Sequence, residues 1–201
     1  MRGSANKRQD LRAEAERLWG WSTRFVDEQG LLDEDGEVDD YGYGDDLWHI
    51  RKPLSKEAGA PWAASGGSRI VVPLSRVDER FIVKMGWFAD QDDEQTRWLN
   101  ADHSARRWLL PIIDFKRGAW SIFPRAKPLP PRMLQTTHFR GYAGKNRPWR
   151  HYREVHPGVV SRAVRSSPLI AQLVDDIQGP RNWGLYRGRP VILDYGDPEV
   201  I

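Results

Sequence analysis

The C-terminal stretch constrains the fold of this chain most strongly, because it predicts a hairpin with a polar residue at each end. Two short apolar runs, 183–186 and 191–193, flank a tight turn at 187–189. Such a hairpin brings Asn182 next to Asp194. Amide and carboxylate oxygens are hard donors of the kind that hold Mg²⁺ on nucleotide phosphates. Taken alone, the pattern favours the alternative, an ordinary surface hairpin.

Residues further upstream change that balance. A Gly-rich loop, a lysine ending an apolar run, an acidic helical segment and an aspartate precede the hairpin in that order, with Asn-x-Gly and Asp-Tyr-Gly at its ends. This order resembles the protein-kinase-like fold, specifically the compact, divergent kinase-like proteins of microbial and viral genomes. The resemblance covers about residues 62–197.

The resemblance implies an α+β fold with three segments. Residues 1–50 would form an N-terminal helix and an acidic connection. Residues 51–126 would form an N-terminal lobe, in which an antiparallel sheet carries one helix and ends in a hinge. Residues 127–201 would form a strongly reduced C-terminal lobe that closes on the metal-binding hairpin. We expect it to be reduced because the chain ends shortly after Gly196, without the family's activation segment and substrate helices.

Two β-branched runs support the predicted sheet. Residues 69–73 and 81–85 are joined by a polar turn, a pattern typical of an antiparallel hairpin. Gly66, Gly67 and Ser68 precede the first run, and glycines there let backbone N–H groups approach a phosphate closely. By the resemblance this loop covers the phosphates of ATP. A plain turn is the alternative.

Lys84 ends the second run, where a buried lysine is costly unless it is paired. Glu94 lies in a helical segment about ten residues later and is the expected partner, with Asp93 as the competing choice. In the resembled family this lysine contacts the α- and β-phosphates and pairs with a helix glutamate. Alternatively, Lys84 extends along the strand end into solvent.

A second hairpin is predicted around residues 116–118, and a proline-rich stretch at 124–131 follows as an extended linker. By the resemblance, residues 123–126 form the hinge whose backbone binds the adenine edge. Phe123 and Arg125 are therefore candidate nucleotide-binding residues.

Asp176 is the candidate catalytic base, the group that orients an attacking hydroxyl. The kinase pattern places four residues between this aspartate and the catalytic-loop asparagine, whereas this chain has five before Asn182, and no His-Arg or His-Gly pair precedes Asp176. Gly179 and Pro180 could absorb the extra residue in a bulge. The base assignment therefore has weaker support than the metal assignment to Asn182 and Asp194.

Charge and aromatic residues suggest further partners. Acidic residues outnumber basic ones about twofold within 1–50, whereas basic residues outnumber acidic ones about threefold within 101–190. Residues 138–153 interleave basic and aromatic side chains, a composition that favours nucleic-acid binding or else a basic covering loop. An amphipathic helix at 5–19 could pack on this domain or on a partner protein. The acidic run at 33–39 does not fit a calcium loop, because its glycine and final glutamate are misplaced.

The composition also excludes several classes of function. The chain has no cysteine, which removes disulfides, thiolate metal sites and cysteine nucleophiles. Without a long apolar run or a leader, it is expected to be unexported, cytoplasmic and not bound to a membrane. The resemblance implies an ATP- and Mg²⁺-binding kinase-like protein, with transfer of phosphate to an unknown hydroxyl as its expected activity. The alternatives are an inactive kinase-like module acting in structure or interaction, and a basic nucleic-acid-binding protein.

Overall fold

The computed structural model of the chain describes residues 2–30, 46–65, 69–86, 89–139, 150–174 and 176–194. These residues form helices and antiparallel sheets, which confirms the predicted α+β class. They divide into two compact units, Met1–Leu99 with Pro111–Arg125, and Asn100–Leu110 with Ala126–Ile201. The described residues within 1–50 therefore share a unit with the sheet, and residues 100–110, before the second hairpin, belong to the other unit.

A five-stranded antiparallel sheet forms the centre of the first unit. Its strands are β1 (Ala64–Ser65), β2 (Arg69–Pro73), β3 (Phe81–Gly86), β4 (Asp114–Lys116) and β5 (Trp120–Pro124). Their order is β1-β2-β3-β5-β4, so β3 is hydrogen-bonded along both edges. The two hairpins expected from the β-branched and aromatic runs are both present.

Two helices, α1 (Arg2–Glu28) and α2 (Asp46–Glu57), share an apolar core with one face of this sheet. The core collects side chains that recur at helical spacing and side chains that alternate along the strands: Leu11, Ala15, Leu18 and Val26 of α1, Ile50 and Leu54 of α2, and Ile70, Val72, Val83, Met85, Trp120 and Ile122 of the sheet. The apolar face of α1 thus packs within its own unit, and binding of a partner protein through this helix stays a prediction.

Helix α1 is longer than the predicted segment 5–19. Its buried stripe continues through Ser22 and Val26, and the helix stops before Gly30. Gly30 has a φ of 66° and donates its N–H to the carbonyl of Asp27, the left-handed ending that glycine accommodates best. Helix α2, which the sequence did not predict, contains Pro53 and is stabilised by burial of its apolar face.

Asp114 at the start of β4 connects the sheet to α1. Arg12 donates two hydrogen bonds to its carboxylate at 2.8 and 2.7 Å, and Arg8 donates one at 3.2 Å. Burial by itself raises the pKa of the Asp114 carboxyl, but the hydrogen bonds from the two arginines outweigh that effect and hold its pKa at about 2. The carboxyl is therefore ionised whenever the unit is folded near neutral pH.

The second unit combines short helices with two hairpins. Its elements are α4 (His103–Arg106), β6 (Leu134–Phe139), β7 (Arg150–Val155), α5 (Pro157–Ser166), α6 (Pro168–Ala171), β8 (Trp183–Tyr186) and β9 (Arg189–Ile192); helix α3 (Ala89–Asn100) precedes α4 and begins in the first unit. Strands β6 and β7 pair with each other, as do β8 and β9. The last hairpin was predicted from the sequence, whereas α5 and the β6–β7 hairpin were not.

None of the helices within the described ranges is both long and apolar enough to cross a lipid bilayer.

Candidate functional site

Lys84 lies on the central strand of the first unit, on the face opposite the α1–α2 core. Its cross-strand neighbours are Val71 on β2 and Ser121 on β5. Only 6% of the residue is exposed. The alternative in which its ammonium extends into solvent therefore does not describe this position, and the charge must be compensated inside the unit.

Glu94 of α3 provides that compensation. The Lys84 Nζ lies 2.9 Å from Glu94 Oε1, and the carboxylate is fully buried. The ion pair expected from the sequence is thus present, while its role in nucleotide binding stays a prediction. The side chain of Asp93, the competing choice, lies outside the described residues.

Arg69 is a third member of this cluster that the sequence analysis missed. Its Nη1 donates to Glu94 Oε2 at 3.0 Å, so one buried carboxylate lies between two cations. Arg69 opposes Gly86 on β3, two residues from Lys84, and side chains two residues apart share a face. The register of the β2–β3 hairpin would therefore have revealed it. Removing the carboxylate of such a buried pair typically costs about 3–5 kcal/mol.

Gln95, the next residue of α3, holds the helix against β5. It is 1% exposed, and its Nε2 lies 2.9 Å from Ser121 Oγ and within hydrogen-bonding distance of the carbonyls of Lys116 and Trp120. Since Ser121 opposes Lys84, adjacent helix residues bind adjacent strands at the same level of the sheet. This arrangement fixes Glu94 beside Lys84. No sequence signal identified Gln95.

The predicted hinge at 123–126 contacts Lys84 through the aromatic ring of Phe123. Phe123 is fully buried, and its ring centre lies 4.8 Å from Lys84 Nζ, a cation–π contact. The N–H of Arg125 donates to the carbonyl of Arg80 at 2.7 Å, and Pro124 has no N–H. Neither of these two residues can therefore offer a free N–H to an adenine. The Arg125 guanidinium instead lies 5.5 Å from the ring of Trp62.

The Gly-rich loop lies outside the described residues. The loop comprises Gly66, Gly67 and Ser68, and its role in phosphate binding stays a prediction.

The C-terminal hairpin of the second unit has the geometry that the sequence predicts. Arg187 and Gly188 have φ values of 50° and 79°, and a type I′ turn requires positive φ at both central positions. At the open end, the N–H of Leu193 donates to the carbonyl of Asn182 at 2.8 Å. Asn182 therefore lies across from Leu193, the residue before Asp194. Asp194 is exposed.

Both edges of this hairpin are hydrogen-bonded to other segments of the same unit. Along β8, Lys127 and Leu185 exchange two backbone hydrogen bonds at 3.0 and 2.6 Å. Along β9, Ile192 donates to the carbonyl of Trp108 at 2.6 Å and accepts from the N–H of Leu110 at 2.9 Å. The hairpin therefore has a hydrogen-bonded neighbour on each edge, and these neighbours fix the positions of its ends.

Asp176 begins a single 3₁₀ turn, and its side chain lies outside the described residues. A second 3₁₀ turn ends at Asn182, and extended Gly179 separates the two. The assignment of Asp176 as the catalytic base stays a prediction. The buried indole Nε1 of Trp183 donates to the carbonyl of Ile177 at 2.6 Å, which ties the first turn to the hairpin.

Asn182 and Asp194 fit a magnesium ion by the chemistry of their donors. Within the described ranges, no group of three or more His, Cys, Asp or Glu residues is placed to hold a metal. Mg²⁺ bound with a nucleotide needs no such cluster, because phosphates and water complete its octahedron around one or two protein oxygens. The assignment of these two residues to a metal stays a prediction.

The stretch 138–153, considered for nucleic-acid binding, falls largely outside the described residues. The backbone of 138–139 and 150–153 lies in the β6–β7 hairpin, and 140–149 is not described.

No protein-family model, curated protein or solved structure matches this chain.

Proposed function

We propose that the chain is a kinase-like protein that binds ATP with Mg²⁺ and transfers phosphate to a hydroxyl. The observation that carries the proposal is the buried ion pair between Lys84 on a central strand and Glu94 on the following helix. Kinases hold the α- and β-phosphates with this combination of a strand lysine and a helix glutamate. A hydrophobic pair would serve stability at least as well, so the buried charges favour a role in function.

The proposal assigns the following roles to individual residues. Lys84 binds phosphate oxygens, and Glu94 orients its ammonium. Asn182 and Asp194 hold Mg²⁺, which neutralises charge on the phosphates when it is bound. Asp176 accepts the proton of the attacking hydroxyl, and the loop of Gly66, Gly67 and Ser68 covers the phosphates.

A second candidate is a nucleotide-binding module without transferase activity. It is favoured by the backbone conformation between Asp176 and Asn182, where extended Gly179 separates two 3₁₀ turns. The additional residue alters the spacing on which the proton acceptor and the metal ligand depend. In this case ATP binding would persist without loss of the γ-phosphate.

Thermal unfolding with and without Mg·ATP tests nucleotide binding. A ligand at 100 times its Kd stabilises the folded protein by about 2.7 kcal/mol, which raises the melting temperature measurably. We expect Lys84→Met and Asp194→Ala each to abolish this increase. The shift is measured within each variant, so a change in intrinsic stability does not affect the comparison.

Matched controls are Lys116→Met, an exposed lysine on the same sheet, and Asp27→Ala, an exposed aspartate of α1. Both should retain the full shift. Equal ATP stabilisation in Lys84→Met and in the parent protein would refute the phosphate-binding role. Release of phosphate that is abolished by Asp176→Asn separates the transferase from the inactive module.

A further inference from the structure

The second unit contains a cleft that is not lined by any of the residues proposed to bind the nucleotide. It has a volume of about 310 Å³ and lies between α5 and the β6–β7 hairpin. Val155, Val160, Val164 and Val174 form its apolar wall. The valine at 174 is 38% exposed, so the wall opens to solvent. This size and lining are typical of small-molecule sites.

Of the lining residues that the structure describes, Glu154 carries the one charged group, a carboxylate. Gln135 opposes it across the β6–β7 pair and donates to its Oε2 at a long 3.4 Å. The side chain is half-buried beside apolar wall atoms. A carboxylate accepts several hydrogen bonds, and a weak bond from one amide leaves capacity for a further donor.

Charge decides which ligand fits. Among the described residues that line the cleft, none is a lysine or an arginine. The nearby Arg162 and Arg165 of α5 are exposed and donate through Nε to carbonyls of their own helix at 3.0 and 3.2 Å. A neutral apolar ligand would desolvate Glu154 without compensating its charge, whereas a protonated amine would provide both donors and charge.

We infer that this cleft binds a small molecule that carries a protonated amine on an apolar chain. The amine pairs with Glu154, and the chain lies along the valine wall.

The position of the cleft also suggests what the ligand does. Gln178 lines the cleft and ends the 3₁₀ turn that begins at Asp176. On the proposed function, on which this step rests, the ligand is an amino alcohol and the phosphate acceptor. Its hydroxyl oxygen bonds to the γ-phosphorus of ATP, the bond from that phosphorus to the β–γ bridging oxygen breaks, and the hydroxyl proton passes to Asp176. The products are a phosphate monoester and ADP.

Calorimetric titration with two matched probes tests the cleft. The probes are 6-amino-1-hexanol and 1,6-hexanediol, which share a chain length and a hydroxyl but differ in charge. We expect the amine to bind about tenfold or more tightly than the diol, the ratio expected for one charge-assisted hydrogen bond. Glu154→Gln should remove this preference, since it keeps the shape and the contact with Gln135.

Two further variants complete the test. Ser161→Leu, which adds apolar volume on the α5 side of the cleft, should weaken both probes. Glu79→Gln, an exposed acid of the first unit, should change neither. Equal affinity for the two probes, or an amine preference that survives Glu154→Gln, would overturn the inference.

The melting experiment with Mg·ATP separates this inference from the proposed function. An ATP shift without amine preference refutes the cleft assignment alone. If the amine is preferred but ATP does not raise the melting temperature, the cleft is an amine-binding site. That result refutes both its role as the phosphate-acceptor site and the proposed function. Phosphorylation of aminohexanol that is lost in Glu154→Gln, while ATP binding persists, is the result expected if both hold.

Discussion

Gly184 in β8 occupies a position with no space for a side chain. A Cβ added there would lie 2.7 Å from the Cβ of Ala126, 2.9 Å from Leu193 Cδ2 and 3.2 Å from the carbonyl oxygen of Lys127. Leu193 could rotate away. The Ala126 Cβ is fixed to the backbone, however, and Lys127 is held by its hydrogen bonds to Leu185. Gly184→Ala must therefore push the hairpin away from residues 126–127.

The magnitude follows from what is strained and what is gained. Overpacking by one methyl group costs about 1–3 kcal/mol. Weakening the two Lys127–Leu185 hydrogen bonds costs about 1 kcal/mol each. The lower backbone entropy of unfolded alanine returns about 0.5–1 kcal/mol. We expect the second unit to lose about 2–4 kcal/mol of stability.

Hydrogen exchange measures this loss where it occurs. The amides of Leu185 and Ile192 should exchange about 30-fold or more faster in Gly184→Ala, because each 1.4 kcal/mol of opening free energy corresponds to a factor of ten. The control is Gly20→Ala in α1, where a Cβ meets no atom within 4 Å. In a helix interior this change should stabilise by about 0.5–1 kcal/mol.

The same substitution is thus expected to have opposite signs at two glycines. Unchanged exchange at Leu185 and Ile192 in Gly184→Ala would show that the hairpin is not packed against residues 126–127. The hairpin would then not hold Asn182 and Asp194 in fixed positions.

Two further predictions concern the first unit. A double-mutant cycle of Gln95→Ala and Ser121→Ala should give a coupling energy of about 1 kcal/mol in urea unfolding, and near-zero coupling would contradict the contact between α3 and β5. Asp114, whose pKa is held at about 2 by Arg12 and Arg8, binds a proton more readily in the unfolded chain. Stability should therefore fall by about 1–2 kcal/mol as pH drops from about 4 to about 2, and Asp114→Asn should lack this component. A parent protein and variant with the same pH dependence there would contradict the assignment.

Local sequence patterns predicted elements whose stabilising contacts are close in the chain. The C-terminal hairpin follows from its turn residues, because Arg187-Gly188 adopts the positive φ values that a two-residue turn requires. The strands at 69–73 and 81–86 follow from β-branched runs and a polar turn. The pairing of Lys84 with Glu94 was predicted because an unpaired buried lysine is costly and an acidic helix follows it. The kinase-like function inferred from these residues stays a proposal.

Local patterns predicted less well where the contacts are distant in sequence. Helix α1 extends to Glu28 because its face packs on the sheet, and no terminating signal within 5–19 predicted its length. Helix α2 forms despite Pro53 for the same reason. The β6–β7 hairpin was not predicted, because the basic and aromatic residues of this region are typical of a nucleic-acid-binding segment rather than of a strand pair.

The amino-acid sequence by itself determined the α+β class, the central lysine strand and the terminal hairpin that places Asn182 near Asp194, since turn preference and side-chain periodicity act over a few residues. Only the tertiary structure decided that Arg69 shares Glu94 with Lys84, that Gln95 fixes α3 to β5, and that Glu154 faces an apolar cleft. These contacts depend on strand register and helix packing, which bring together residues that no local pattern connects.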